Sequence, residues 1–182
     1  MTLVESTQIE LGTEMSDFSL KDPNNKEHNS KDLIGEKGLL IAFTCNHCPY
    51  AQAVWERFIK LSEQAKKLEI NAVAINPNIH PDYPEDSPEE MKKLIQTLEI
   101  KFPYLIDDTQ QTAKDFKAQC TPDIYLVDKD FKLVYHGRID DNWQDEHAVK
   151  SHELLAAVNA LANGLEINKD QKPSMGCSIK WS

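Results

Sequence analysis

Two cysteines, Cys45 and Cys48, stand three positions apart and enclose Asn46 and His47. Thiols at this spacing can exchange disulfides, because one thiolate attacks a disulfide and the other resolves the mixed disulfide that forms. We predict Cys45 as the nucleophile and Cys48 as the resolving thiol. A cationic His47, as a pKa-tuning residue, would favour the Cys45 thiolate. The motif therefore predicts a couple more oxidising than Cys-Gly-Pro-Cys, whose potential is on the order of −270 mV.

The segments on either side of the motif predict how the thiols are held. Residues 38–43 form a continuous apolar run, typical of a strand buried on both faces. From residue 51 to 68, apolar residues recur every three or four positions and predict one buried helix face, and Pro49 suits the first turn. The motif thus lies at a strand-to-helix junction, where free N–H groups and the helix dipole favour a thiolate.

The order of the remaining segments predicts an α/β fold. A loop over residues 76–87, which contains three prolines, is typical of functional loops and is expected to help cover the site. The run from Ser87 to Glu90 predicts a capped helix start, and Ser151 and Gly164 predict the bounds of the last helix. The predicted strands are 38–43, 70–75, 102–106, 123–127 and 132–136, and helices are predicted to follow residues 48, 87, 108 and 151.

Two further cysteines, Cys120 and Cys177, have no second cysteine or histidine at a tight metal-binding spacing. Each is either a small buried apolar residue or a candidate accessory thiol that could reach the motif. Four cysteines allow three pairings, and the spacing does not choose among them.

Composition limits the classes of partner. The chain has 182 residues, 40% of them hydrophobic, and a formal net charge of −10, so we expect one domain over residues 1–182. The acidic balance disfavours nucleic acid and anionic membrane surfaces as partners. The first residues lack a basic start and an apolar run, which predicts a cytoplasmic location. Within the domain, residues 1–17 are interpreted as an N-terminal arm and 165–182 as a C-terminal tail that docks on the domain.

Six segments, in order along the chain, resemble the redoxin-type group of peroxiredoxin-like thioredoxin-family proteins, also labelled thiol–disulfide isomerase and thioredoxin. The resemblance implies a thioredoxin-like three-layer α/β/α sandwich with an N-terminal β extension. It also implies a redox cysteine at Cys45, a cis proline at Pro122, and a substrate groove formed by Thr44, Thr121 and Pro122. The segments are FTCNHCPYA, NPNIHPDYPEDSPEEM, FPYLIDDTQQTAKDF, AQCTPDIYLVD, GRIDDN and GCSIKW.

The favoured prediction is a thiol–disulfide oxidoreductase, and two alternatives stay open. A peroxiredoxin-type thiol peroxidase would resemble Pro-x-x-x-Thr-x-x-Cys. Placing Cys48 as its thiol puts Cys45 at the threonine, and placing Cys45 there puts Ala42 at the threonine, so neither register fits. A copper chaperone on the same fold would pair Cys-x-x-x-Cys with a distant histidine, whereas the spacing here is one residue shorter.

The predicted reaction needs no bound cofactor and no metal. We expect protein or low-molecular-weight thiols and disulfides as substrates, with thioredoxin or glutathione as the electron donor. Ordinary thioredoxins carry a tryptophan before the first cysteine and a buried aspartate on the preceding strand. Here Thr44 takes the tryptophan position and residues 38–43 contain no carboxylate, so the aspartate's role is unfilled or has moved.

Overall fold

A computed structural model describes residues 3–182, and its centre is a seven-stranded mixed sheet. The strand that precedes the motif is β4 (Gly38–Phe43), which is buried along its whole length as predicted. It pairs in parallel with β5 (Ile70–Asn76) and antiparallel with β8 (Asp123–Asp128). The full order is β3-β2-β6-β5-β4-β8-β9, with β2 Ser19–Lys21, β3 Glu27–Asn29, β6 Tyr104–Ile106 and β9 Leu133–Gly137.

Helices cover both faces of this sheet and make the predicted three layers. Alternate residues of β4 point to opposite faces, so Leu40 packs on one side and Ile41 on the other. One side carries the long helix that follows the motif, together with two shorter helices. The other side carries two short helices and part of the N-terminal arm, where Met15 is buried. The helices are α1 Ser30–Leu33, α2 Pro49–Lys67, α3 Pro88–Thr97, α4 Gln111–Asp115 and α5 Glu153–Ala162.

A second, three-stranded sheet joins the two ends of the chain. Its strands are β1 (Leu3–Glu5), β10 (Met175–Ser178) and β7 (Cys120–Thr121), with β10 in the middle. The prediction that the tail docks on the domain is therefore confirmed, and the N-terminal arm forms an edge strand. The first two residues of that arm lie outside the described residues.

Local signals at helix ends were correct in two cases and wrong in one. The Ser87 side chain caps α3 by accepting from the Glu90 N–H, and Gly164 adopts a left-handed φ of 65° just beyond α5. The prediction that Ser151 caps α5 was wrong, because the helix begins one residue later with His152 at the N-cap position. Among the described residues, no helix is long and apolar enough to cross a membrane.

Candidate active site

The two thiols of the motif lie in the connection between β4 and α2. Cys48 is the N-cap residue of α2, Pro49 is its first helical residue, and the Cys48 carbonyl accepts from the Gln52 N–H at 2.9 Å. The Cys45 and Cys48 side chains are hydrogen-bonded to each other. The fold thus brings two thiols into contact at a helix N-terminus, as the spacing predicts.

Thr121 holds both thiols from the opposite side. Its hydroxyl lies 3.2 Å from Cys45 Sγ, and its backbone carbonyl accepts a hydrogen bond from Cys48 Sγ at the same distance when Cys48 is a protonated thiol. The peptide bond between Thr121 and Pro122 is cis, as the resemblance implies. Thr121 is fully buried, so its position suits holding the thiols rather than lining an open groove.

A histidine, an aspartate and a tyrosine form a cluster beside the thiols, and we call His47, Asp86 and Tyr83 the site triad. His47 Nδ1 is hydrogen-bonded to Asp86 Oδ2, and the rings of His47 and Tyr83 stack with centroids 4.6 Å apart. The other oxygen of Asp86 accepts from the Asn46 N–H at 2.6 Å. His47 Nε2 is buried and has no hydrogen-bond partner among the described residues.

Asp86 and Tyr83 are residues that the sequence analysis missed. They belong to the loop 76–87, which lies beside the motif as expected. Asp86 is completely buried although no apolar or metal-binding pattern surrounds it in sequence. The loop's prolines identified the segment, but nothing in its spacing singled out these two side chains.

The structure lowers the pKa of Cys48 and raises that of Cys45. The Cys45 thiol donates toward Cys48, and this hydrogen bond, against the cost of burial, lowers the pKa of Cys48 to about 5. A hydrogen bond from the Cys177 thiol and the backbone N–H of Ala51 lower it further, although Cys48 makes no regular capping hydrogen bond. Burial, the hydrogen bond to Cys48 and the nearby Asp86 carboxylate raise the pKa of Cys45.

This result differs from the prediction that His47 favours a thiolate at Cys45. The prediction treated His47 as an isolated cation, whereas the structure pairs it with a buried carboxylate that also faces Cys45. These contacts therefore favour ionisation of Cys48 over ionisation of Cys45. An oxidising couple is still expected, since hydrogen bonds to the Cys48 thiolate stabilise the reduced state.

Cys120 and Cys177 occupy different places. Cys177 lies opposite Thr121 in the β10–β7 pair and packs with Cys45, Cys48 and Ala51. The Cys120 thiol instead donates to the Pro122 carbonyl at 3.6 Å, and burial raises its pKa. The structure therefore brings Cys177, and not Cys120, into the thiol cluster.

The site is closed in this conformation. Cys45 and Cys48 are both fully buried. The loop 76–87 is tied to the tail, because Asn78 Oδ1 accepts from the Lys180 N–H at 2.9 Å and the Lys180 ammonium lies 5.6 Å from the Tyr83 ring centre. Disulfide exchange at Cys45 or Cys48 therefore requires this loop or the tail to move.

Of the three predicted groove residues, Pro122 lines the larger nearby cavity. This cavity has a volume of about 330 Å³ and apolar walls that include Val54, Ile139 and Trp143. Thr44 is buried, its N–H bonded to the Ile75 carbonyl at 2.9 Å, and it lines a much smaller space together with Pro122. The assignment of a substrate groove stays a prediction.

Comparison with known proteins identifies the family. The model of the AhpC/TSA family matches residues 11–136. The chain belongs to the AhpC/TSA family. The curated thiol-disulfide oxidoreductase ResA of Bacillus thuringiensis is 23% identical over 127 residues, which is 70% of this chain and 69% of ResA. AhpC/TSA membership and these relatives make the chain a redoxin-type oxidoreductase at the general level.

Two solved structures are similar to nearly the whole chain. A conserved protein from Geobacillus kaustophilus, described as uncharacterized, is 40% identical with a TM-score of 0.95, covering 100% of this chain and 97% of its own. A hypothetical protein from Sinorhizobium meliloti is 35% identical with a TM-score of 0.92 and covers 98% of both chains. The peroxidoxin BcpB of Mycobacterium tuberculosis, 16% identical with a TM-score of 0.67, covers 84% of this chain and 98% of its own, and supports the thioredoxin-like fold alone.

Proposed function

We propose that this protein exchanges disulfides with its substrates through Cys45 and Cys48. The observation that carries the proposal is the pair of thiols, hydrogen-bonded to each other at the N-terminus of α2 and held by Thr121 next to cis Pro122. The lowered pKa of Cys48, about 5, supports the proposal, because disulfide exchange requires a thiolate.

The hydrogen bond between the thiols gives the first step a path for its proton. The proton moves from Cys45 to Cys48, and the Cys45 thiolate attacks one sulfur of the substrate disulfide. The other substrate sulfur leaves and takes up a proton. Cys48 then loses its proton and attacks Cys45 Sγ, so that the second substrate thiol leaves and a Cys45–Cys48 disulfide remains. The same steps in reverse oxidise a substrate dithiol.

A redox titration combined with trapping tests this proposal. We expect a Cys45–Cys48 disulfide with a potential above the roughly −270 mV of Cys-Gly-Pro-Cys, because the Cys48 thiolate stabilises the reduced form. In Cys48→Ser, an added disulfide should become trapped on Cys45, as mass spectrometry would show. If the added disulfide is instead trapped on Cys48 in Cys45→Ser, and none is trapped on Cys45 in Cys48→Ser, then Cys48 is the nucleophile and Cys45 the resolving thiol. A potential as low as about −270 mV would refute the oxidising bias.

The peroxidase alternative lacks the arginine that a peroxidatic thiolate needs. The chain's two arginines are both engaged elsewhere: Arg57 with Asp140 and Arg138 with Glu153. The Thr121 hydroxyl does contact Cys45, which is the one peroxidase-like feature of the site. Hydrogen peroxide turnover that survives Cys48→Ser but not Cys45→Ser would make peroxidase activity the better assignment.

Metal binding, as in a copper chaperone, is a second candidate function. Ligand atoms of Cys45, His47 and Asp86 all lie within 4.8 Å of one another, and His47 Nε2 is buried without a partner among the described residues. Thiolate and imidazole suit copper or zinc. Metal analysis of the purified, reduced protein separates the two functions. Stoichiometric copper that is lost in Cys45→Ser would favour the chaperone.

We propose that the protein acts in the cytoplasm and that thioredoxin or glutathione is its electron donor. The net charge of −10 disfavours nucleic acid and anionic membrane surfaces as partners. The rates at which reduced thioredoxin and reduced glutathione open the oxidised motif, measured by thiol titration, identify the donor. If neither thioredoxin nor glutathione reduces the Cys45–Cys48 disulfide, the proposed electron donors are refuted.

A further inference from the structure

We propose that Cys177 is a third exchange thiol, which attacks Cys48 in the oxidised motif, forms a Cys48–Cys177 disulfide and releases Cys45. This inference rests on the proposed disulfide exchange and adds a second position for the disulfide. It makes the site a three-thiol relay with Cys48 in the middle.

The position of Cys48 between two thiols carries the inference. Its side chain is hydrogen-bonded to Cys45 on one side and to Cys177 on the other. These three cysteines and Ala51 form one buried cluster. Cys48 is therefore next to two potential disulfide partners within one cluster.

The β10–β7 pairing holds Cys177 in this place. Cys177 lies opposite Thr121, whose carbonyl accepts from the Cys48 thiol at 3.2 Å. Gly176, the preceding residue, permits a close approach, since a Cβ there would lie 2.0 Å from the same carbonyl oxygen. Strand β10 thus presses against the peptide that positions the motif, and only glycine at position 176 fits that contact.

The transfer step balances without an external oxidant. The Cys177 thiolate attacks Cys48 Sγ, the Cys45–Cys48 bond breaks, and Cys45 leaves as the thiolate and takes up the proton that Cys177 lost. One disulfide is broken and one is formed, so the oxidation state of the protein does not change. Cys45 is again a free thiol while Cys48 is bonded to Cys177.

Oxidation of the motif itself prepares Cys177 for attack. In the reduced protein, burial and the neighbouring Cys48 thiolate raise the pKa of Cys177 to about 12. A Cys45–Cys48 disulfide removes the Cys48 charge and its hydrogen bond, whereas the Lys180 ammonium continues to lower the pKa of Cys177. The third thiol therefore becomes more acidic when its target forms.

Cys120 provides a matched control. It is equally buried and sits on β7, directly before Thr121. Adjacent strand residues point to opposite faces, and the Cys120 thiol donates to the Pro122 carbonyl rather than to the thiol cluster. Cys120→Ser should leave every disulfide of the relay in place.

Disulfide mapping after a short diamide pulse tests the relay. The thiols are then blocked by alkylation, and the peptides are separated without reduction. In the wild-type protein we expect Cys45–Cys48 first and Cys48–Cys177 later, with the same sequence in Cys120→Ser. Cys45→Ser should form Cys48–Cys177 in near-stoichiometric yield, and Cys177→Ser should stop at Cys45–Cys48.

Three other outcomes separate the inference from the proposed function. Wild-type protein that forms Cys45–Cys48, with Cys177 recovered as the alkylated thiol at every time point, refutes the relay alone. Cys48–Cys177 without an earlier Cys45–Cys48 species refutes the transfer step. Wild-type protein that forms neither disulfide and exchanges none with glutathione refutes the proposed function. Since the wild-type time course decides each case, the test does not depend on Cys45→Ser being folded.

Discussion

Among the described residues, two His–Asp–Tyr clusters are built on a buried carboxylate, one at the motif and one in the sheet. In the site triad, His47 pairs with Asp86 and stacks on Tyr83. In the second set, which we call the core triad and which consists of His136, Asp123 and Tyr125, His136 Nε2 lies 2.8 Å from Asp123 Oδ1, and the His136 and Tyr125 rings stack 4.1 Å apart. Each carboxylate also raises the pKa of a nearby, buried cysteine.

The two clusters differ in how they are anchored. Tyr125 and His136 are register partners on β8 and β9, and the Tyr125 hydroxyl donates to the second oxygen of Asp123 at 3.0 Å. The core triad is therefore locked by sheet hydrogen bonds. The site triad joins a turn to a loop, and its histidine keeps one ring nitrogen unpartnered among the described residues. The same three residue types thus form part of the rigid sheet in one place and connect the motif to a loop in the other.

The cysteines beside the two clusters should differ most in activity. We expect Cys45→Ser to reduce turnover of a glutathione mixed disulfide at least about 100-fold, because the attacking sulfur is removed. Cys48→Ser should prevent completion of the cycle. Cys120→Ser, beside the core triad, should retain turnover within about twofold of the wild-type protein. A large loss of turnover in Cys120→Ser with normal folding would remove the functional distinction between the clusters.

Stability should show the reverse order. Asp123→Ala leaves His136 and the Tyr125 hydroxyl without their buried acceptor, so we expect a loss of about 3–5 kcal/mol in the free energy of unfolding. Asp86→Ala should lose about 1–3 kcal/mol, because its loop can move and admit water to the Asn46 N–H. Urea unfolding of the two reduced variants measures both. An equal or larger loss in Asp86→Ala would show that the site triad is also part of the rigid scaffold.

The sequence predicted the parts of the site that are close together in the chain. An unbroken apolar run predicts β4, and the periodic apolar face with Pro49 predicts α2 and the placement of Cys48 at its start. These are local patterns several residues long. The central sheet, its helix layers and the contact of the two motif thiols follow from them.

The parts that could not be predicted depend on long-range pairing. Strand β7 has two residues and β10 has four, too few for a periodic pattern, so the sheet that holds Cys177 against Thr121 was not expected. Asp86 reaches Asn46 across 40 positions of the chain. A single sequence contains no signal for such a contact. Burial and the hydrogen bond to Cys48, which raise the pKa of Cys45 together with Asp86, depend equally on the folded arrangement.

The titration of Cys48 should make the stability of the reduced protein depend on pH. A thiol with a lowered pKa in the folded state stabilises the protein above its unfolded pKa of about 8.5, and this contribution is lost as the pH falls toward about 5. The stability advantage of reduced wild-type protein over Cys48→Ser should therefore grow from pH 5 to pH 8, by at most about 1.4 kcal/mol per pH unit. Urea unfolding at four pH values measures it, with Cys120→Ser expected to follow the wild-type protein. A difference that is flat with pH would contradict a thiolate at Cys48.

The finest test of the comparison replaces each carboxylate by its amide. Asp86→Asn keeps an oxygen for the Asn46 N–H but removes the charge that raises the pKa of Cys45. The pH midpoint for alkylation of Cys45, followed by mass spectrometry, should fall by up to about one unit. Asp123→Asn should leave that midpoint unchanged, because its charge acts on Cys120. An unchanged midpoint in Asp86→Asn would mean that burial and the Cys48 hydrogen bond alone set the pKa of Cys45. A lower midpoint in Asp123→Asn would mean that the charge of the core triad also acts on Cys45.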